Sequence, residues 1–300
     1  MELRQLKYFV RIAETLNFSE ASRTLYVTQS TLSQQIKSLE DELGSLLFQR
    51  DSHSVTLTES GQMLLPLARQ TLMDASSCKE QIKDLQEMLT GELNIGVTYS
   101  FSPILTETVK NFMKEYPGVK LNIQYKNMEE LMGLLRRREV DFVLSFKSNR
   151  PYDEIESHNL FEDKLSVIMR KDHALASKSS ISIGDLTKHR LAFPAKGLQA
   201  RNAIEKYIDL EASRLNVCLE INEANILLDI VQHNNVFTIL SEATIRGREM
   251  LKAIPLDIPD NQMQGCIHTL KRVYRKRSAE AFVKMLRETN TVQELSEKWL

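Results

Sequence analysis

Two groups of residues carry side chains whose types and spacing could do chemistry. The first is Thr28, Gln29, Ser30, Thr31, Ser33, Gln34 and Lys37. These fall on the leading turns of one helical period, opposite an apolar stripe of Leu32, Ile36, Leu39 and Leu43. Short hydroxyl and carboxamide side chains that donate and accept, followed by a cation, suit the donor–acceptor code of base edges in a DNA major groove. Periodicity alone leaves an ordinary surface helix equally open. The second group is Tyr99, Ser100, Phe101, Ser102, Asn127, Met128, Ser145, Phe146, Ala195, Lys196, Gly197 and Gln199. Each cluster stands where an alternating, strand-like run ends. In open α/β sheets that is where free helix-start N–H groups and hydroxyls hold small ligands. Ser100 is the leading candidate for a carboxylate or other small polar group, and Lys196 could add charge. Tyr99, Phe101, Met128 and Phe146 allow a partly apolar ligand. The plainer reading is that serines after strands are only helix caps. Asn222 to Asn225, Ser241 and Glu242 are expected at the cleft floor.

No nucleophile–base pair, carboxylate dyad, phosphate loop or metal-ligand spacing stands in the sequence, so we expect no enzyme, metal or cofactor. Cys78, Cys218 and Cys266 are far apart and lack C-x-x-C spacing, which fits a reducing cytoplasm without disulfides. The N-terminus MELRQLKYF is unlike a signal peptide, and no apolar run is long enough to span a membrane. Net charge is −1, and residues 1 to 58 hold seven acids against six Lys/Arg, so phosphate binding would need a local patch.

The elements that must position these groups follow from pattern. Residues 3 to 16 place Leu3, Leu6, Phe9, Val10, Ala13 and Leu16 on one helical stripe. A short helix from Ser19, read as its N-cap, to Leu25 offers Ala21, Ser22, Leu25 and Tyr26 as packing surface. Thr28 caps the next helix and Gly44 ends it. Leu46, Leu47 and Phe48 read as an apolar plug. Arg50 and His53 belong to the tip of a short hairpin ending at Val55–Leu57. A long helix over about 59 to 89 carries a coiled-coil-like seam of Ala68, Leu72, Ala75, Cys78, Ile82, Leu85 and Leu89. Beyond Gly91, strands at 93–97, 121–125 and 140–146 alternate with helices, then at 164–170, 190–195, 217–222 and 236–241, with a last strand at 266–274 and a helix at 278–298. That alternation implies parallel sheets.

The run MELRQLKYFVRIAETLNFSEASRTLYVTQSTLSQQIKSLEDELGSLLFQR, with VTLTESG at 55–61, resembles the N-terminal domain of LysR-type transcriptional regulators. The resemblance implies an α + α/β chain. Residues 1–58 would form a winged helix-turn-helix and 59–90 a dimerising linker helix. Residues 91–300 would form an effector domain like periplasmic binding proteins, with subdomain I at 91–162 and 266–300 and subdomain II at 163–265. It further implies a cytoplasmic bacterial homodimer, assembling into a homotetramer, that binds double-stranded DNA half-sites through Thr28, Gln29, Ser30, Thr31, Ser33, Gln34, Lys37, Arg50 and His53. A small effector would sit at the second group of residues. The chain departs from the family at the wing, where His53 stands in place of a common Arg. It has no cysteine at 194–201, which argues against peroxide sensing unless Cys218 and Cys266 are close. Asparagines at 234–235 replace a Gly-x-Gly turn. Lys271–Arg277 reads as a solvated basic corner, with a second nucleic-acid site as the weaker reading. A constitutive DNA-binding protein and a cytoplasmic solute-binding protein stay open as alternatives.

Overall fold

A computed structural model describes residues 1–50, 54–84, 90–148, 152–208 and 214–297. The chain forms two compact units, 1–88 and 89–300.

In the first unit, α1 (Leu3–Thr15), α2 (Phe18–Leu25) and α3 (Gln29–Leu43) precede a ribbon of β1 (Phe48–Arg50) and β2 (Val55–Leu57), then α4 (Glu59–Asp84). Leu6, Phe9, Ile12, Phe18, Ala21, Leu32, Ile36, Leu39, Leu47 and Phe48 form its core. Phe48 packs its ring 5.4 Å from Phe9 and 5.7 Å from Phe18.

Several expectations here are corrected. The α2 cap is Asn17, whose Oδ1 accepts from the Glu20 N–H at 3.0 Å; Ser19 lies two residues later, already inside the first turn. Tyr26 is 95% exposed and takes left-handed φ of 54° as it ends α2, so it packs against nothing. Leu46 is exposed, and only Leu47 and Phe48 plug the core. Leu3, Leu16 and Leu43 are exposed as well, while Ile12 is buried. Ala68 is buried in the unit's own core and Leu72 packs on it, so the start of the proposed seam is already used. Ile82 is 61% exposed; Leu85 and Leu89 lie outside the described residues.

One acid and one hydroxyl of this unit serve its backbone. Buried Glu40 accepts from the N–H groups of Leu47 (2.8 Å) and Phe48 (3.3 Å) through Oε1, fixing the entry to β1. Thr58 donates to the Leu46 carbonyl and caps Gly61 N–H, and a Cβ on Gly61 would sit 2.2 Å from the Leu47 carbonyl oxygen.

The second unit holds β3 (Gly91–Val97), α5 (Ser102–Glu115), β4 (Val119–Tyr125), α6 (Met128–Arg136), β5 (Phe142–Phe146), β6 (Ile155–Asp163), β7 (Leu165–Arg170), α7 (Ile183–Leu186) and β8 (Arg190–Pro194). It continues with α8 (Gln199–Ile204), β9 (Asn216–Ile221), α9 (Ala224–His233), β10 (Thr238–Ser241), β11 (Leu251–Pro255), β12 (Met263–Leu270), α10 (Arg277–Arg287) and α11 (Asn290–Glu297). One sheet runs β4-β3-β5-β12-β6. The others run β9-β8 and β10-β7-β11, joined by a parallel bridge between Leu191 and Phe237. Read as one, β9-β8-β10-β7-β11 repeats the order of the first sheet: three parallel strands, then two antiparallel ones.

The sheets are therefore mixed, where alternation implied parallel pairing. Strands β6 and β11 have no counterpart in the pattern-based reading, because their burial does not alternate residue by residue. The first crossing between sheets falls at Lys164. The return falls at 256–262, earlier than the expected boundary between 265 and 266, because Asn261 pins it to the first crossing. The Asn261 side chain accepts from Leu165 N–H and donates to the carbonyls of Leu165 and Leu256, at 2.7–2.8 Å. The expected single C-terminal helix is two, broken at Thr289, and Glu107 caps the start of the second. Asn234 and Asn235 do not take positive φ; Asn234 instead donates to the Ile230 carbonyl.

Candidate nucleic-acid interface and ligand cleft

The polar end of α3 is built from its cap outward. Thr28 Oγ1 accepts from Thr31 N–H at 3.2 Å and lies 2.9 Å from Ser30 Oγ and 2.8 Å from Thr31 Oγ1. Gln29 Oε1 accepts from Ser19 Oγ at 2.9 Å, so α2 orients the first side chain of α3. Thr28, Gln29, Ser30, Thr31, Gln34 and Lys37 are exposed, and Ser33 is half-buried. This gives one helix face of alternating donors and acceptors around a free N-terminal turn, the kind of surface that fits base edges and a phosphate. Exposed Tyr26 sits at the turn just before it; its left-handed backbone carries no sequence signal other than the break between two helices. Arg50 ends β1, but its side chain lies outside the described residues, as does all of His53.

In the second unit the predicted residues scatter into several roles. Phe101 and Phe146 are buried with Phe161 as an aromatic trio, rings 5.3–6.1 Å apart, so their side chains form the floor beneath the cleft. Ser145 is fully buried and donates to the Phe146 carbonyl. Asn127 caps α6 through Glu130 N–H, and Ser102 donates to the Tyr99 carbonyl. Tyr99 stacks on Tyr125 at 5.1 Å, beside half-buried Ser100. Ala195 N–H donates to the Ile221 carbonyl, and Lys196 and Gly197 are exposed on the turn that follows, Gly197 at φ 95°.

Three predicted residues do meet at one cavity: Met128, Phe146 and Gln199 line a groove of about 750 Å³. The groove draws its other walls from residues with no motif in the sequence, among them Lys147, Tyr152, Asn202, Lys206, Met263 and Gln264. They come from the segment after β5, from α8 and the turn that follows it, and from β12, so only the fold brings them together. Glu129 and Asp260 place carboxylates on the same rim as Lys147 and Lys206. The groove takes a small ligand with polar ends and an apolar middle.

Two buried titratable groups flank this region. Asp163, at the first crossing, accepts from Lys164 N–H (2.8 Å) and Ala243 N–H (3.0 Å). Burial, with Glu242 nearby, pushes its carboxyl up to about 6. His268 bridges Ser157 Oγ (2.8 Å) and the Ser145 carbonyl (3.3 Å), and burial pushes its imidazole down to about 4. Cys266 is buried and its thiol is pushed up to about 11, while Cys218 is exposed on a different sheet; both are free. The basic stretch at 271–277 is partly neutralised by its own surroundings, with Arg275 on Glu156 and Lys276 on Asp141. Among the described residues no three His, Cys, Asp or Glu side chains could hold a metal, and no helix is long and apolar enough to cross a membrane.

Residues 3–62 match the family model described as bacterial regulatory helix-turn-helix protein, lysR family, and residues 86–291 match the LysR substrate binding domain. The regulator EstR of Acinetobacter baylyi is 31% identical over 253 residues, covering 83% of this chain and 82% of that protein. The activator IlvY of Haemophilus influenzae is 28% identical over 301 residues, covering 95% and 100%. Among solved structures, a point variant of full-length OxyR from Pseudomonas aeruginosa superposes with a TM-score of 0.76 at 22% identity, over 98% of this chain and 97% of that one. CbnR in complex with its target DNA gives 0.63 at 20% identity, over 96% and 99%. At these identities the two structures bear on the fold alone.

Proposed function

This chain belongs to the LysR family of transcriptional regulators, and we propose that α3 reads its DNA while a small effector in the groove beside Gln199 sets its activity. It is a DNA-binding regulator with an effector domain and not an enzyme. The observation that carries the α3 assignment is its exposed polar face, with Gln29 already oriented by Ser19. Gln29, Ser30, Thr31, Ser33 and Gln34 read base edges; Thr28, Lys37, Arg50 and His53 serve the backbone. The unit works as a winged helix-turn-helix in the cytoplasm. Two copies pair through α4, using exposed Met63, Leu67 and Ile82, and pairs of dimers give a tetramer. Each recognition helix then meets one half-site.

The effector acts by population shift, favouring one relative placement of the α/β subdomains and so one placement of the DNA-reading heads. Within the groove, support is strongest for Met128, Gln199 and the backbone of Phe146. Ser100, Tyr99, Ser102, Asn127, Lys196 and Gly197 are second candidates that do not line it. Gel shifts on DNA flanking the protein's own gene test the reading: sequence-selective binding at moderate salt is expected. Binding no tighter than to random DNA would sink it.

A further inference from the structure

The end of β5 shows how the cleft is held. Alternate residues of a strand direct their N–H and C=O to opposite neighbours. Lys147 turns to β12, its N–H donating to the Gln264 carbonyl at 2.8 Å. Leu144 turns the other way, its carbonyl accepting from Thr98 N–H at 3.0 Å. Phe146 shares that direction, but β3 has ended at Val97 and the chain has left through Tyr99–Phe101. The Phe146 donor and acceptor are thus left without a strand. Gln199, opening α8 in the other subdomain, takes the strand's place. Its Oε1 accepts from Phe146 N–H at 3.2 Å and its Nε2 donates to the Phe146 carbonyl at 2.8 Å. The same Nε2 lies 2.9 Å from Met128 Sδ.

We propose that this contact is a latch across the cleft, and that the effector is a small molecule with a cis-amide edge that replaces Gln199 at Phe146. A primary carboxamide, a lactam or a cyclic imide has that edge. The proposal rests on the effector-controlled reading above.

The geometry selects the class. A peptide N–H beside its own C=O asks for an acceptor beside a donor. A carboxylate brings two acceptors, and the second meets the Phe146 carbonyl oxygen. A single hydroxyl replaces only one of the two bonds that Gln199 makes and so competes with it less well; the Phe146 carbonyl then keeps only the 3.2 Å bond from Ser145 Oγ. An amide answers both, as Gln199 does. The lining adds no preference for net charge, since it carries two lysines, Lys147 and Lys206, and two carboxylates, Glu129 and Asp260. Exchanging one amide for another is close to neutral at the contact. The ligand therefore prevails through the apolar surface it buries on Met128 and Met263.

Hydrogen exchange at single-residue resolution on the full-length protein tests the latch. Gln199→Glu keeps the length and loses the donor; Gln199→Leu loses both bonds. Gln199→Leu should lower protection of the Phe146 amide by about tenfold or more, and Gln199→Glu, which keeps an acceptor for that N–H, should lower it less, with Leu144 and Ile267 unchanged as a check on folding. Unchanged Phe146 protection in Gln199→Leu would overturn the latch. Nicotinamide and nicotinate, which differ as amide and carboxylate, then probe the ligand class on Gln199→Leu. Restored Phe146 protection by nicotinamide alone is the expected result; equal restoration by both, or by neither, overturns the class. Selective DNA binding is scored separately on the wild-type protein, so a failure of the regulator reading shows there and not in the exchange data.

Discussion

Ser19 Oγ donates a 2.9 Å hydrogen bond to Oε1 of Gln29, tying the first residue of α3 to the start of α2. The carboxamide oxygen of this exposed side chain is thereby engaged, which leaves its Nε2 as the group to donate to a base edge. Pre-orienting a flexible side chain removes an entropy cost that binding would otherwise pay. Ser19→Ala should therefore lower affinity for the cognate site by about three- to tenfold and leave affinity for random DNA unchanged. Fluorescence anisotropy with both DNAs checks it. An equal loss on both would mean that Ser19 acts only through folding.

Glu40 predicts a stability effect with no direct effect on reading. Its Oε1 satisfies two backbone N–H groups at the start of β1 from inside the core. Glu40→Ala leaves both donors buried and unpaired, at a cost of about 1–3 kcal/mol. Glu40→Gln keeps an acceptor and should cost less. Urea unfolding of the full chain, with exchange rates at Leu47 and Phe48, reads the difference.

Gly265 stands where β12 bulges, and a Cβ there would lie 2.5 Å from Phe161 Cζ. Phe161 cannot retreat, because Phe101 and Phe146 pack on it. Gly265→Ala should cost about 1–3 kcal/mol through overpacking. Because Phe146 belongs to the same trio, the substitution should also disturb the groove. A stability equal to wild type by thermal melting would contradict the close packing.

The two buried titratable groups oppose each other with pH. Asp163 has a folded-state value of about 6 against an ordinary 3.8, so its stabilising contribution is present at low pH and is lost as pH rises through 6. His268 has a folded-state value of about 4 against an ordinary 6.5, so its contribution is present above 6.5 and is lost as pH falls through 4. Each spans about two pH units, or roughly 3 kcal/mol at most, with opposite sign. Wild-type stability should thus change little from these groups between those limits. Asp163→Asn should unmask a steeper loss toward acid than wild type, and His268→Gln the reverse. Parallel slopes in all three proteins would refute the burial argument.

How much of this was legible in residues is uneven, for physical reasons. Helices that bury a stripe announce themselves: Leu32, Ile36 and Leu39 marked α3, and Thr28 and Gly44 marked its ends. Asn17 outcompeted Ser19 as a cap by a choice of two residues that periodicity does not resolve. Edge strands such as β6, with Glu156, Ser157, His158 and Asn159 in sequence, lack the alternation that a half-buried strand shows. The polar end of α3 was readable because its residues are consecutive on one element. The groove was not, because Lys147, Lys206 and Met263 meet only after the chain has crossed between subdomains twice. Gln199 was found as a loop residue, yet its pairing with Phe146 follows from where β3 stops.

The most direct test of the central claim is a DNA-binding titration with Gln29→Ala and Ser33→Ala at moderate salt, on DNA from beside the protein's own gene and on a scrambled sequence of equal length. The account predicts selective binding by the wild type. It predicts a loss of about tenfold or more on the specific DNA for Gln29→Ala, a smaller loss for half-buried Ser33→Ala, and unchanged binding to the scrambled DNA. Equal losses on both DNAs, or no selectivity in the wild type, would contradict it.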